Sequence, residues 1–196
     1  MVRIAITGGI ACGKSLVASY IAELGIPVCE TDTLAHAVLA PGQAVHAAVV
    51  ERFGREIVGR DGAIDRVRLG RLVFEDDRRL AELNALTHPE ILRRLRMWLA
   101  ERGRETAIAA AVIPLLYEIN EESSWDRVIC VAAPEADQLR RLAERGLTEA
   151  EARRRMASQW AQVRKTERAD FVIHNAGSRE LLRQQTNDVM RTIRGA

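Results

Sequence analysis

Short, nearly unbroken apolar runs alternate along this chain with segments whose apolar residues recur every three or four positions. The first run is Val2-Arg3-Ile4-Ala5-Ile6, and a second, around Val28-Cys29, follows the turn Gly25-Ile26-Pro27. The others are Thr106 to Ile113, Arg127 to Ala132, and Ala169-Asp170-Phe171-Val172-Ile173. Between and after them lie helical spacings: Val17, Ala18, Ile21 and Leu24, then Glu135 to Arg145, then a final helix starting near Ser178. Continuous apolar runs read as strands buried on both faces, and their alternation with helices predicts an α/β protein with a five-stranded parallel sheet.

From Pro41 to Arg104 the strand signal disappears. Ala44 to Phe53 is amphipathic, Gly59-Arg60-Asp61-Gly62 is a turn, and Asp65 is placed to cap a helix running through Phe74. A helix over about Arg78 to Leu86 is expected next, and Pro89 is read as opening a separate long helix with Ile91, Leu92, Leu95 and Leu99 on one face. The pattern predicts an all-helical insertion between strands.

The first strand joins the first helix through Thr7-Gly8-Gly9-Ile10-Ala11-Cys12-Gly13-Lys14-Ser15. Gly8, Gly13, Lys14 and Ser15 satisfy G-x-x-x-x-G-K-[ST], and the strand before and helix after supply the context that pattern needs. Glycines let successive N–H groups turn inward and the helix N-terminus adds partial positive charge, so main chain wraps a polyphosphate. Lys14 is then placed for the β- and γ-phosphates, and the Ser15 hydroxyl for Mg²⁺. Lys14 and Lys165 are the two lysines among 29 basic residues, so lysine is kept where a compact point charge is wanted.

The chain of 196 residues is 47% hydrophobic and 29% charged, an ordinary globular composition. No apolar run is long enough to span a membrane and the first residues enter a strand directly, which predicts a cytoplasmic protein. Cys12, Cys29 and Cys130 have no metal-binding spacing; Cys29 and Cys130 read as small buried residues. Cys12 is open between a nucleophile near a helix N-terminus and a backbone-positioning residue of the loop. The net charge of +2 hides a basic segment from Arg140 to Arg168, open between a nucleic-acid surface, a flap that closes over a nucleotide and a solvated helical face. Thr148 and Glu151 form a capping box for a helix extending to Trp160 within it.

Carboxyl ends of parallel strands face the ligand crevice, which places Glu30 and Asp32 on the side of the phosphate loop. Asp32 is open between a general base and the N-cap of a helix beginning near Thr33. Glu118, after the third run, is open between organising metal-bound water and standing as a surface acid, and His88 between substrate contact and helix capping. Asn175 could meet a base edge or shape a turn. The third run ends without the Asp of a Walker B strand, and no Asn-Lys-x-Asp guanine signature is present.

Taken together these segments resemble the dephospho-CoA kinase family, of the P-loop nucleoside-monophosphate-kinase-like group. The resemblance rests on Gly8 to Ser15, Glu30-Thr31-Asp32, Leu83-Asn84, His88-Pro89, Pro114-Leu115-Leu116-Tyr117-Glu118, Arg155 to Gln159, and Ala169-Asp170 with Ile173, Asn175 and Gly177. It implies a P-loop NTPase fold and transfer of the γ-phosphoryl of ATP, with Mg²⁺, to the ribose 3′-hydroxyl of dephospho-CoA. Asp32, Lys14 and Arg141 would be catalytic; Gly8, Gly9, Ile10, Ala11, Cys12, Gly13, Lys14, Ser15, Leu16, Arg141, Arg145 and Asn175 would bind nucleotide. Asp32, His36, His88, Leu115 and Glu118 would lie on the acceptor side, and Ser15 would ligate the metal. Residues 1–38, 105–138 and 169–196 would form the nucleotide core, 39–104 the acceptor domain and 139–168 the lid. Partners would be ATP and dephospho-CoA, with no nucleic acid, membrane or obligate protein partner. Within the resemblance, Glu30 replaces an Asp, His36 an Arg, Ala11-Cys12 a Gly-Ser, and Leu16 a frequent Thr.

Overall fold

The computed structural model describes residues 1–195, in two compact units: residues 1–30 with 101–195, and residues 31–100. The first holds a five-stranded, all-parallel sheet: β1 (Val2–Thr7), β2 (Val28–Glu30), β3 (Ile108–Val112), β4 (Arg127–Ala132) and β5 (Phe171–His174), in the order β2-β3-β1-β4-β5. The register aligns Ile6 with Val112, Thr7 with Cys130, Cys29 with Ala111 and Cys130 with Val172. Because every strand runs the same way, the phosphate loop, Glu30, the Pro114 turn and Asn175 all leave the sheet at one edge. That edge is where an open parallel sheet presents its ligand crevice.

Apolar side chains seal one face of the sheet under two helices, α1 (Lys14–Glu23) and the chain-terminal helix Arg179–Gly195. Val17 and Ile21 of α1, Leu182, Met190 and Ile193 of the last helix, and Ile4, Ile6, Ile129 and Ile173 of the strands form one buried cluster. Each such side chain contributes on the order of 1.5–3 kcal/mol when taken fully out of water. β1 therefore enters the phosphate loop from a fixed base.

The second unit is helical: α2 (Thr31–Val38), α3 (Ala44–Phe53), α4 (Arg66–Phe74) and most of α5 (Asp77–Arg102). Val49, Phe53, Ile57, Ile64, Leu69 and Val73 make its core, against which Leu80, Leu83 and Leu86 of α5 pack. A short antiparallel bridge, Val58 with Ile64, closes the Gly59–Gly62 turn, and the Asp65 carboxylate caps α4 by accepting from the N–H groups of Val67 and Arg68.

Four readings are corrected here. Residues 78–102 form one helix, not two: α5 runs through Pro89. Proline deletes a single intrahelical hydrogen bond and crowds one carbonyl, and a 26-residue helix packed on the Leu80-Leu83-Leu86 face absorbs that. His88 is consequently mid-helix and caps nothing; the cap is Asp76, which accepts from Arg78 N and Arg79 N. Asp32 is no N-cap either, because α2 begins at Thr31 directly after β2 and Asp32 lies in its first turn, where the helix dipole favours a carboxylate. The basic segment holds a third helix: α6 (Glu135–Ala143) and α7 (Glu149–Ala157) are followed by α8 (Gln162–Arg168), so the helix expected to reach Trp160 stops at Ala157. The remaining helix, Arg179–Gly195, is α9. Among the described residues no helix is long and apolar enough to cross a membrane.

Candidate active site

Two glycines of the loop are fixed by lack of space. A Cβ on Gly8 would lie 2.1 Å from the Val131 carbonyl oxygen, and one on Gly13 would lie 2.2 Å from Asn175 Nδ2; both backbones have positive φ, 139° and 99°. Ala11 also sits in the left-handed region, at φ 58°. An L-residue there costs roughly 1–2 kcal/mol, which accounts for the glycine that the resemblance leads one to expect. Its methyl group is buried against Leu142 and Ala152, which offsets part of that cost.

The loop is braced from both sides. Asn175 Nδ2 donates to the Cys12 carbonyl at 2.8 Å, and its own N–H donates to Ala132 O at 2.7 Å. Arg141 donates from one guanidinium nitrogen to Ala11 O (3.0 Å) and from the other to Asn175 O (3.3 Å). Asn175 and Arg141 are thus brought together at the loop, Asn175 as a brace for its backbone. Arg145, by contrast, is exposed and its side chain makes no hydrogen bond or ion pair among the described residues.

Cys12 is fully buried; its thiol donates to Gln162 Oε1 at 3.1 Å, and burial pushes its pKa up. A buried, protonated thiol is a poor nucleophile. Burial likewise raises Cys29 to about 11 and Cys130 to about 12, and all three cysteines are free. Glu30 and Ser15 meet: the Ser15 hydroxyl donates to Glu30 Oε2 at 3.4 Å. Lys14 Nζ folds back onto the carbonyls of Gly8 (3.0 Å) and Gly9 (2.8 Å), at the mouth of the loop. Leu16, the first residue after Ser15, is half-buried and packs on the sheet core.

Glutamines on α6 and at the start of α8 had no signal in periodicity or charge. Gln159, between α7 and α8, accepts from the Ile10 N–H at 3.0 Å. Gln162 Oε1 also accepts from Ala133 N (3.0 Å) and Gln138 Nε2 (3.2 Å), directly beneath Cys12. Glu118 is no surface acid. Its side chain is 15% exposed, its Oε1 accepts from Trp160 N at 2.8 Å, and it pairs at 2.7 Å with Lys165 Nζ, whose side chain is 0% exposed. Leu115, on the same turn, is half-buried. Lys165 carried one cue in the sequence, its rarity.

In the helical unit, Asp32 and His36 are exposed on α2, and His36 shares a hydrogen bond with the Arg66 guanidinium. An arginine therefore accompanies the position where the resemblance calls for one. His88 is half-buried on α5, and burial lowers its pKa, which keeps the imidazole neutral at pH 7. Among the described residues no three His, Cys, Asp or Glu side chains are grouped to hold a metal ion. The oxygen pair Ser15 and Glu30 fits Mg²⁺, which keeps most of its waters and takes few protein ligands beside substrate phosphates.

A G-x-x-x-x-G-K-S loop at the carboxyl end of the central strand of a 2-3-1-4-5 parallel sheet, with the Arg141 guanidinium on its backbone, defines a P-loop phosphotransferase. Comparison with known proteins narrows the class. A family model described as dephospho-CoA kinase matches residues 2–180. The dephospho-CoA kinase of Geobacillus kaustophilus is 42% identical over 186 residues, covering 93% of this chain and 92% of the relative. A Thermus thermophilus crystal structure superposes with a TM-score of 0.79 at 36% identity over 97% of both chains. The dephospho-CoA kinase of Campylobacter jejuni gives 0.72 at 27% identity, over 97% of this chain and 96% of that one. The chain belongs to the dephospho-CoA kinase family, the enzymes of the last step of coenzyme A biosynthesis.

Proposed function

We propose that this chain transfers the γ-phosphoryl group of ATP to the ribose 3′-hydroxyl of dephospho-CoA, giving coenzyme A and ADP. The observation that carries the reading is an intact phosphate loop, Gly8 to Ser15, in a chain matched along residues 2–180 by the dephospho-CoA kinase family. Residues 1–38, 105–138 and 169–196 hold the nucleotide, 39–104 receive dephospho-CoA, and 139–168 close as the lid.

Phosphoryl transfer asks little covalent chemistry of the protein; positioning and charge stabilisation do most of the work. The loop amides from Gly9 to Leu16 cradle the phosphates, and Lys14 exchanges its contacts with the Gly8 and Gly9 carbonyls for the β- and γ-phosphate oxygens. That exchange replaces neutral acceptors with charged ones, which makes the hydrogen bonds roughly twice as strong. Arg141, held at the loop by Ala11 O, is poised for charge developing on the transferred group, and Arg145 joins it on closure. Asn175 keeps the loop in shape beneath the nucleotide. Ser15, beside Glu30, would hold Mg²⁺, which would supply charge neutralisation of the phosphates.

Asp32 orients the 3′-hydroxyl and accepts its proton. Its exposure in the first turn of α2, two residues beyond Glu30, supports the role. His36 with Arg66, His88 and Leu115 contact the acceptor, and lid closure keeps water from competing for the phosphoryl group. The protein acts in the cytoplasm without nucleic acid, membrane or an obligate protein partner.

The test is ADP release from Mg-ATP with dephospho-CoA, AMP, adenosine and shikimate offered separately. Turnover with dephospho-CoA and a product heavier by one phosphate is the expected result. Turnover confined to another acceptor would overturn the substrate assignment, and ATP binding without any turnover would overturn the enzyme reading.

A further inference from the structure

Lys165 is a buried cation whose contacts lead away from the phosphate loop. Its ammonium group donates to Pro114 O at 2.9 Å and pairs with Glu118 at 2.7 Å, so it grips both ends of the turn Pro114–Glu118 that follows β3. Glu118 Oε1 also accepts from Trp160 N, and the Trp160 ring stacks on Tyr117 of the same turn, with centroids 5.7 Å apart and planes 12° from parallel. Thr7, the last residue before the phosphate loop, donates to the same Pro114 carbonyl at 3.4 Å. The short segment from Gln159 to Lys165 therefore holds two things. Gln159 and Gln162 hold the loop, through Ile10 N and Cys12 Sγ; Trp160 and Lys165 hold the turn.

Stability alone does not explain the pair. Taking two charges out of water is repaid only when their remaining hydrogen-bonding capacity is met, and apolar replacements of the same volume are often as stable. Here Glu118 Oε2 is buried without a hydrogen-bond partner, and the Tyr117 hydroxyl is buried likewise. A buried ion pair that also holds Pro114 O and Trp160 N, on the sheet edge that carries the phosphate loop, suits a device for holding position.

We propose that Lys165 and Glu118 are positioning residues, which fix the Pro114–Glu118 turn in register with the phosphate loop so that the acceptor meets the γ-phosphate at the right place. The role rests on the kinase reading above. Loosening the pair leaves the Gln159 and Gln162 contacts with the loop in place, so it separates acceptor handling from nucleotide binding.

The deciding variant is the double substitution Glu118→Leu/Lys165→Met, which removes both charges while keeping volume. The single change Lys165→Met strands a buried carboxylate and serves as the unstable control. In the double variant the nucleotide Kd stays within twofold of wild type, while kcat falls at least tenfold and KM for dephospho-CoA rises at least fivefold. Hydrogen exchange at Leu115–Glu118 speeds up with residues 8–13 unchanged, a readout that stands whatever the acceptor is. Wild-type kcat and KM in the folded double variant, or a nucleotide Kd weakened as much as the acceptor KM, would overturn the proposal. So would unaltered exchange in the turn. Should the double variant not fold, Glu118→Gln is read for the same split, expected at threefold or more in kcat/KM for the acceptor; no split there overturns it equally.

Discussion

Replacing Asn175 by alanine probes the link between β5 and the phosphate loop. Asn175 is 8% exposed, and its amide donates the 2.8 Å hydrogen bond to Cys12 O from inside the fold. Alanine leaves that carbonyl without its donor, and a buried polar group so stranded costs about 1–3 kcal/mol. For a protein of this length each kcal/mol lowers Tm by roughly 2–4 °C, so a fall of about 2–12 °C is expected. The Cys12–Gly13 peptide also loses the partner that fills the space beside Gly13, so the loop samples shapes that do not converge on phosphate. Nucleotide affinity should fall with stability, by roughly threefold to tenfold. Thermal melting followed with and without Mg-ATP, and titration calorimetry of the nucleotide, give both numbers. A variant that melts within 1 °C of wild type and binds ATP within twofold would refute the bracing role.

Asp32→Asn removes a proton acceptor but no ATP contact, so turnover should drop by roughly 10²-fold or more with ATP affinity unchanged, measured by steady-state kinetics and calorimetry. Gly8→Ala drives a Cβ to 2.1 Å from Val131 O at φ 139°, and overpacking of that kind costs about 3 kcal/mol or more; melting and ATP titration should both show the damage. Thr148→Ala deletes the hydroxyl half of the capping box, the bonds between Thr148 Oγ1 and Glu151, and leaves the Thr148 N–H bond to the Glu151 carboxylate; the loss is about 1 kcal/mol, which hydrogen exchange should locate in Glu149–Ala157. Burial lowers the pKa of His88, so below about pH 6.5 the unfolded chain binds a proton that the folded chain resists. Stability should therefore fall as pH drops from 6.5 through the lowered folded value. His88→Gln should flatten that part of the Tm–pH curve, and an unchanged slope would exclude His88 as its source.

The sheet was legible because its strands carry short, continuous apolar runs such as Ile108–Val112, too short for a buried helix and bounded by turn residues. The loop was legible because its chemistry sits at fixed spacing. Caps were readable where a side chain does the capping, as at Asp65 and in the Thr148–Glu151 box. Pro89 misled, because a local rule that ends helices yields to the packing of a long one. Helix α8 was missed since Gln162–Arg168 is short, strongly polar and without apolar periodicity. Among the loop's supports the glutamines were least legible: Gln138 and Gln162 are neutral residues whose meaning comes from partners over 20 positions away, and Gln159 showed only within the Arg155–Gln159 stretch of the resemblance. Glu118 read as open between two roles because sequence does not show that Lys165 lies 2.7 Å from it.

The most direct test of the central claim is where the new phosphate goes. Product formed from dephospho-CoA and Mg-ATP should show, by ³¹P–¹H correlation NMR, a new phosphomonoester coupled to the ribose H3′ and identical to authentic coenzyme A. A phosphomonoester coupled to H2′, or phosphate found only as free orthophosphate beside unchanged dephospho-CoA, would contradict the account.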